Sequence, residues 1–188
     1  MKTRVFLYAM LLGLSSSAWA HPGHGLASAS AGFLHPLTGW DHLLVMLAVG
    51  LWAGRIGGTA RWQLPLAFLS AMAIGAGASM WGFAIPGLET GIAASVLAMG
   101  LLIAVCSPLG RPLQVGLVAL FAGLHGAAHG IELPSQAAWV AMVSMLVATA
   151  LLHGFGVWLA TFRGRIAQLL QRGMGWLIAL SGLYLLVA

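Results

Sequence analysis

The chain has 188 residues, 61% of them hydrophobic and only 6% charged, with a formal net charge of +5. Soluble domains carry about a quarter charged residues, so this composition, with a mean hydropathy of +0.99, excludes an ordinary aqueous globule and points to a polytopic membrane protein. The positive charge does not point to nucleic acid, because the basic residues lie in short loops between apolar runs, and the single Cys106 excludes an intrachain disulfide and a cysteine-rich metal site.

At the start of the chain, Lys2 and Arg4 form a positive region, "VFLYAMLLGL" an apolar one, and "AWA" at 18–20 a small-x-small cleavage site. These predict a signal peptide over 1–20, cleaved after Ala20, and a mature domain over 21–188 that opens His21-Pro22-Gly23-His24. An uncleaved first helix is the alternative. Such a leader places the protein in a bacterial inner membrane with its mature N-terminus outside.

Six apolar segments follow, at 33–54, 63–84, 88–106, 112–131, 135–160 and 174–188. Each is near the roughly 20 residues that a helix needs to cross about 30 Å of hydrocarbon, and the last is the shortest. The predicted fold is an all-α integral membrane protein, a six-helix transmembrane bundle after a cleaved signal peptide. Charge alternates by loop: Arg55 and Arg61, then Glu89, then Arg111, then Glu132, then Arg163, Arg165 and Arg172. Positive-inside bias puts the arginine loops in the cytoplasm and both mature termini in the periplasm, in agreement with the leader. Trp40, Trp52, Trp62, Trp81 and Trp139 read as interfacial belt residues. The 26 glycines, among them the run "AIGAGAS" at 73–79, offer surfaces for close helix packing.

Against this background the polar residues within the segments stand out, because an ionisable group in a membrane span is costly and marks function by default. Of three acids, Asp41 alone lies outside a short loop. On a continuous helix His35, Gly39, His42 and Met46 share one face, with Asp41 about 100° round from His42, and Pro36 falls in the first turn, where its missing N–H is harmless. A second stripe, His125, His129 and Glu132, follows at i, i+4, i+7 in "HGAAHGIELP", with Gly126 and Gly130 keeping the neighbouring surface small. The alternating topology puts both clusters in the outer half of the membrane. Thr149 and His153 are one turn apart and deeper.

Neutral imidazole with carboxylate suits Ni²⁺, Co²⁺, Zn²⁺ or Cu²⁺, and the lack of sulfur argues against Cu⁺. Such binding releases protons and weakens as pH falls through the histidine range. The candidate metal ligands are therefore Asp41, His42, His125, His129, His35, His153, Glu132 and Met46. Plainer roles stand beside some of them: a helix–helix hydrogen bond for His153, an interfacial position for His35, a loop acid for Glu132, and packing for Met46.

At these residues the sequence resembles the HupE/UreJ family of nickel/cobalt permeases. The family's His-Pro-x-x-Gly-x-Asp-His pattern, with Met and Gly after it, stands here as "HPLTGWDHLLVMLAVG" (35–50), and "FAGLHGAAHGIELP" (121–134) resembles its second conserved region. The resemblance covers essentially the whole chain. It implies secondary uptake of Ni²⁺ or Co²⁺ from periplasm to cytoplasm, with no prosthetic group, in supply of nickel enzymes such as hydrogenase and urease. The better-known nickel/cobalt transporters carry His-x4-Asp-His, whereas His35 to Asp41-His42 is His-x5-Asp-His. One more helical residue turns His35 by about 100°, so the Asp-His pair carries over directly, while the resemblance leaves open whether His35 is a ligand in the same geometry.

The expected path begins with weak capture at His21 and His24. It passes between the first and fourth helices at Asp41, His42, His125 and His129, and then reaches His153. The partners are a divalent cation and the lipid bilayer, and a homo-oligomer is compatible with both. The chain has no phosphate-binding loop and is expected not to be an enzyme. Two rivals come from other classes. An intramembrane zinc-dependent hydrolase would use three histidines with Asp41 and one of Ser144, Ser79 or Ser95, without an HExxH pattern; a haem subunit would use two axial histidines.

Overall fold

A computed structural model describes residues 28–106, 108–133 and 138–188. The leader at 1–20 and the His21 and His24 capture site lie outside the described residues. Among the described residues every regular element is a helix: α1 (Ala29–Thr38), α2 (Trp40–Ile56), α3 (Ala60–Met80), α4 (Leu88–Val105), α5 (Arg111–Glu132), α6 (Ala138–Leu159) and α7 (Arg165–Val187). Helices satisfy their own backbone groups, as hydrocarbon requires. The five helices α3 to α7 are each long and apolar enough to cross a membrane, and α1 with α2 would make a sixth span if counted together.

That first span corrects the expectation of one helix over 33–54, because α1 and α2 meet at 81°. The break falls at Gly39, whose backbone is extended (φ −81°, ψ 118°). Its N–H still bonds to His35 O at 3.2 Å and its carbonyl accepts from Leu43 at 2.9 Å, so the turn leaves neither group orphaned. Pro36 lies in the interior of α1 and not in a first turn, since α1 begins seven residues earlier with Ser28 capping the Ala31 N–H at 3.1 Å. A helical proline removes one ladder bond, which weakens the helix just ahead of its end.

The last helix also differs from expectation. It begins at Arg165, not 174, and its 23 residues make it the longest described. Arg165 and Arg172 are therefore helical and not in a loop. The polar first turns persist because their side chains have partners: Gln171 Nε2 donates to Leu159 O at 3.0 Å and to Phe162 O at 3.3 Å, and Arg172 Nε donates to Ala104 O at 3.0 Å.

The bundle is assembled from glycine-mediated pairs: α3 with α5, α4 with α7, and α2 with α6, with α1 also lying on α6. A Cβ added at Gly126 would lie 2.0 Å from Met72 O, one at Gly100 2.2 Å from the Ala179 N, and one at Gly50 2.2 Å from His153 O. Backbones in these pairs approach to a distance that only glycine permits, the main source of helix association where lipid removes the hydrophobic drive. At the arginine end, Arg55 donates to Ile103 O at 2.6 Å and to Cys106 Sγ, so that Arg55 and Arg172 together bind the last carbonyls of α4. Cations are favoured there by the helix dipole. Trp40, Trp62, Trp81 and Trp139 are exposed as a belt requires, but Trp52 is buried at 3% and belongs to the core.

Candidate metal centre

The break at Gly39 builds the site. It starts a new helix, so Asp41 and His42 occupy the first turn of α2. The Asp41 Oδ1 accepts the His42 backbone N–H at 2.8 Å and stands 2.7 Å from His42 Nδ1. A carboxylate accepts, so His42 carries its ring proton on Nδ1 and keeps the Nε2 lone pair. Gly39 leaves room for this pair: a Cβ there would meet His42 Nδ1 at 3.1 Å and Asp41 Oδ1 at 3.2 Å.

The bend also turns His35 back toward α2. His35, Gly39, His42 and Met46 do not share one helical face, yet the His35 and His42 ring centroids are 5.5 Å apart. His129 joins them from α5, 4.9 Å from His35 and 4.6 Å from His42. One ligand nitrogen from each of His35, His42 and His129 can be chosen so that all three lie within 4.8 Å of one another. Metal–nitrogen bonds of about 2.0–2.1 Å would require a modest closure of this triad. Glu132 Oε2 lies 3.4 Å from His35 Nε2 and 3.7 Å from His129 Nδ1, bringing a carboxylate beside the triad.

His125 extends the cluster inward, its ring 5.2 Å from that of His42. Its Nδ1 donates to Phe121 O at 2.8 Å, which leaves Nε2 as a lone-pair donor. His125 and His129 are fully buried, and His42 Nε2, His125 Nε2 and both His129 nitrogens have no hydrogen-bond partner among the described residues. Buried polar atoms without partners cost about 1–3 kcal/mol each, a cost that a bound cation would remove.

Two stripes of α5 explain how this cluster is held. Gly126 and Gly130 press against the Met72 and Ala76 carbonyls of α3. His125 and His129, one residue earlier and about 100° round, face the α1–α2 corner. Neither α1 nor α2 makes an extensive backbone contact with α5; the imidazoles span the gap. A cleft of about 150 Å³, lined by Asp41, Glu89, Thr90 and Leu185 among others, lies beside Asp41.

Two candidates remain. Met46 is fully buried in the apolar core. His153 is buried and contacts Phe68, with ring centroids 4.9 Å apart, while Phe68 is 6.2 Å from His125. Phe68 thus touches two of the candidate histidines, and in a helix of apolar side chains nothing in the sequence singles it out. The three serines weighed for hydrolysis each donate to a backbone carbonyl: Ser144 to Val140 at 2.9 Å, Ser79 to Phe83 at 3.2 Å and Ser95 to Ile92 at 2.6 Å.

Fold and centre together define a multi-pass helical membrane protein with a buried imidazole–carboxylate cluster, a donor set suited to first-row divalent cations. The family profile described as HupE / UreJ protein matches residues 9–185. Protein HupE of Rhizobium leguminosarum bv. viciae is 42% identical over 178 residues, which cover 94% of this chain and 93% of that protein. No solved structure matches. The chain belongs to the HupE/UreJ family.

Proposed function

We propose that the protein is a secondary permease that carries Ni²⁺, or Co²⁺, from the periplasm to the cytoplasm across a bacterial inner membrane. On this reading residues 1–20 are a cleaved leader, both mature termini are periplasmic, and the imported metal supplies nickel enzymes such as hydrogenase or urease. The observation that carries it is the triad of His35, His42 and His129, whose ligand nitrogens lie within 4.8 Å of one another inside the bundle. The likeness to the nickel/cobalt permeases at "HPLTGWDHLLVMLAVG" supports the same reading.

The steps follow from the side chains. A hydrated dication reaches the outer side of the bundle, where Asp41 and Glu132 attract it. Lone pairs of His42, His129 and His35 replace part of its water, and His125 receives it on the inward side. An inside-negative potential of 100 mV favours inward movement of a dication by about 4.6 kcal/mol, twice the single-charge value, so no separate energy source is needed.

The test is uptake of trace Ni²⁺ in cells lacking their own nickel importers, with Co²⁺, Zn²⁺ and Mg²⁺ as competitors. Expression of the wild type should raise uptake, and Asp41→Asn and His42→Ala at matched membrane levels should abolish the rise; the competitor ranking names the metal. Uptake no greater than in empty-vector cells, with the protein properly inserted, would sink the proposal.

A further inference from the structure

Beyond the outer triad the rings form a series. His35, His42 and His129 contact one another, and His42 contacts His125. Phe68 of α3 then touches His125 at 6.2 Å and His153 of α6 at 4.9 Å, the latter edge to face. Among the described residues His125 and His153 each contact Phe68 and not one another. One hydrocarbon ring therefore interrupts a chain of imidazoles.

On the far side of that ring lies a second polar group. His153 is 1% exposed and Thr149 0% exposed. They stand one turn apart on α6, and His153 Nδ1, His153 Nε2 and Thr149 Oγ1 have no hydrogen-bond partner among the described residues. Thr149 differs from Ser95, Ser144 and Ser181, which donate to carbonyls three or four residues back in their own helices. Three orphaned polar atoms at one buried spot are expensive unless something occupies it. His153 is six residues from the end of α6, about 9 Å along the axis, and so stands well past His125 toward the arginine end.

We infer that Phe68 is a gate between two cation stations: the outer one at His35, His42 and His129, and an inner one formed by His153 and Thr149. This rests on the permease reading above. The inner station offers one imidazole and one hydroxyl and no carboxylate, so it takes a divalent cation that keeps most of its water, and it takes it weakly. Phe68 is 0% exposed and its ring lies between those of His125, beside the outer station, and His153, in the inner one. Rotation of this one side chain opens the passage; while it is in place, the outer station is closed from the inside.

The test uses full-length protein in proteoliposomes, with Ni²⁺ and Mg²⁺ as probes and flux counted per folded molecule. Phe68→Leu and Phe68→Ala should leave Ni²⁺ binding at the outer triad within about threefold. They should also admit Mg²⁺ or protons that the wild type excludes, with Phe68→Trp slowing Ni²⁺ flux at least tenfold. His153→Ala should preserve outer binding and lower flux at least tenfold, and Thr149→Val should do so less. A packing role alone would lower folded yield and leave selectivity per folded molecule unchanged. Unchanged selectivity in both Phe68→Leu and Phe68→Ala, or wild-type flux in His153→Ala, would overturn the gate. His42→Ala separates the two ideas: if it leaves Ni²⁺ binding intact, the permease reading itself fails, whatever Phe68 does.

Discussion

The Asp41 carboxylate lies 2.7 Å from Nδ1 of the adjacent His42, and the same oxygen holds the His42 backbone N–H at 2.8 Å. An acid that grips both the ring and the backbone of its neighbour fixes the tautomer and the direction of the free Nε2. Asp41 thus acts through His42 as well as through its charge. Removal of such an outer partner typically costs 10–100-fold in metal affinity. Asp41→Asn keeps an accepting oxygen and loses the charge, and Asp41→Ala loses both. Calorimetric Ni²⁺ titration of protein in nanodiscs should therefore show a weaker site in Asp41→Asn and a weaker one still in Asp41→Ala. Equal affinities in all three proteins would dismiss this role.

Gly39 sets the bend, and its φ of −81° is open to any residue. Alanine there should fold. Its Cβ would meet His42 Nδ1 at 3.1 Å and Asp41 Oδ1 at 3.2 Å, pressing on the pair. Gly39→Ala is expected to reach the membrane at normal levels and to take up nickel several-fold more slowly, as measured by trace uptake against immunoblotted protein. Wild-type uptake would mean that the pair tolerates the push.

The glycine interfaces make a paired prediction on α5. A Cβ at Gly126 would lie 2.0 Å from Met72 O, whereas one at Gly123 meets nothing within 4 Å. Overpacking costs about 1–3 kcal/mol and more where backbone must move, while alanine gains up to about 1 kcal/mol over glycine in a helix. Thermal melts in detergent should show Gly126→Ala clearly destabilised and Gly123→Ala neutral or stabilised. The reverse order would contradict the α3–α5 packing.

Cys106 is exposed at the end of α4, in contact with Arg55. If the arginine loops are cytoplasmic, a membrane-impermeant maleimide should label Cys106 in inside-out vesicles and not in right-side-out ones. Labelling from the periplasmic side would invert the topology.

Much of this was legible before any coordinates. The apolar runs at 88–106 and 112–131 became α4 and α5 almost residue for residue, because a lipid span is bounded by a strong change in polarity. The i, i+4, i+7 stripe of His125, His129 and Glu132 survived, since α5 is unbroken. The route by which His35 meets His42 was not legible, because helical periodicity was carried through Gly39; a single extended residue resets the angular count, and an 81° turn, not a shared helical face, brings the two rings together. The start of α7 was missed for a different reason. Gln171 and Arg172 looked like loop residues by polarity alone, and only the tertiary carbonyls they bind make a helix there affordable. Phe68 carried no local signal, since its contacts with His125 and His153 depend on which two helices flank it.

The corner between α1 and α2 has a consequence for the lipid itself. The 17 residues of α2 make a rod about 25 Å long, a few ångströms short of a typical hydrocarbon core. The ten residues of α1 depart at 81° and so add little height. Lipid meets this corner at α1 and Trp40, because no residue of α2 from Asp41 to Ile56 is exposed; neighbouring helices hide the short rod from the acyl chains. The exposed apolar side chains lie mainly on α3, α5, α6 and α7, which run 21 to 23 residues, so turnover in phosphatidylcholines should be best at ordinary chain length and should fall in shorter lipids.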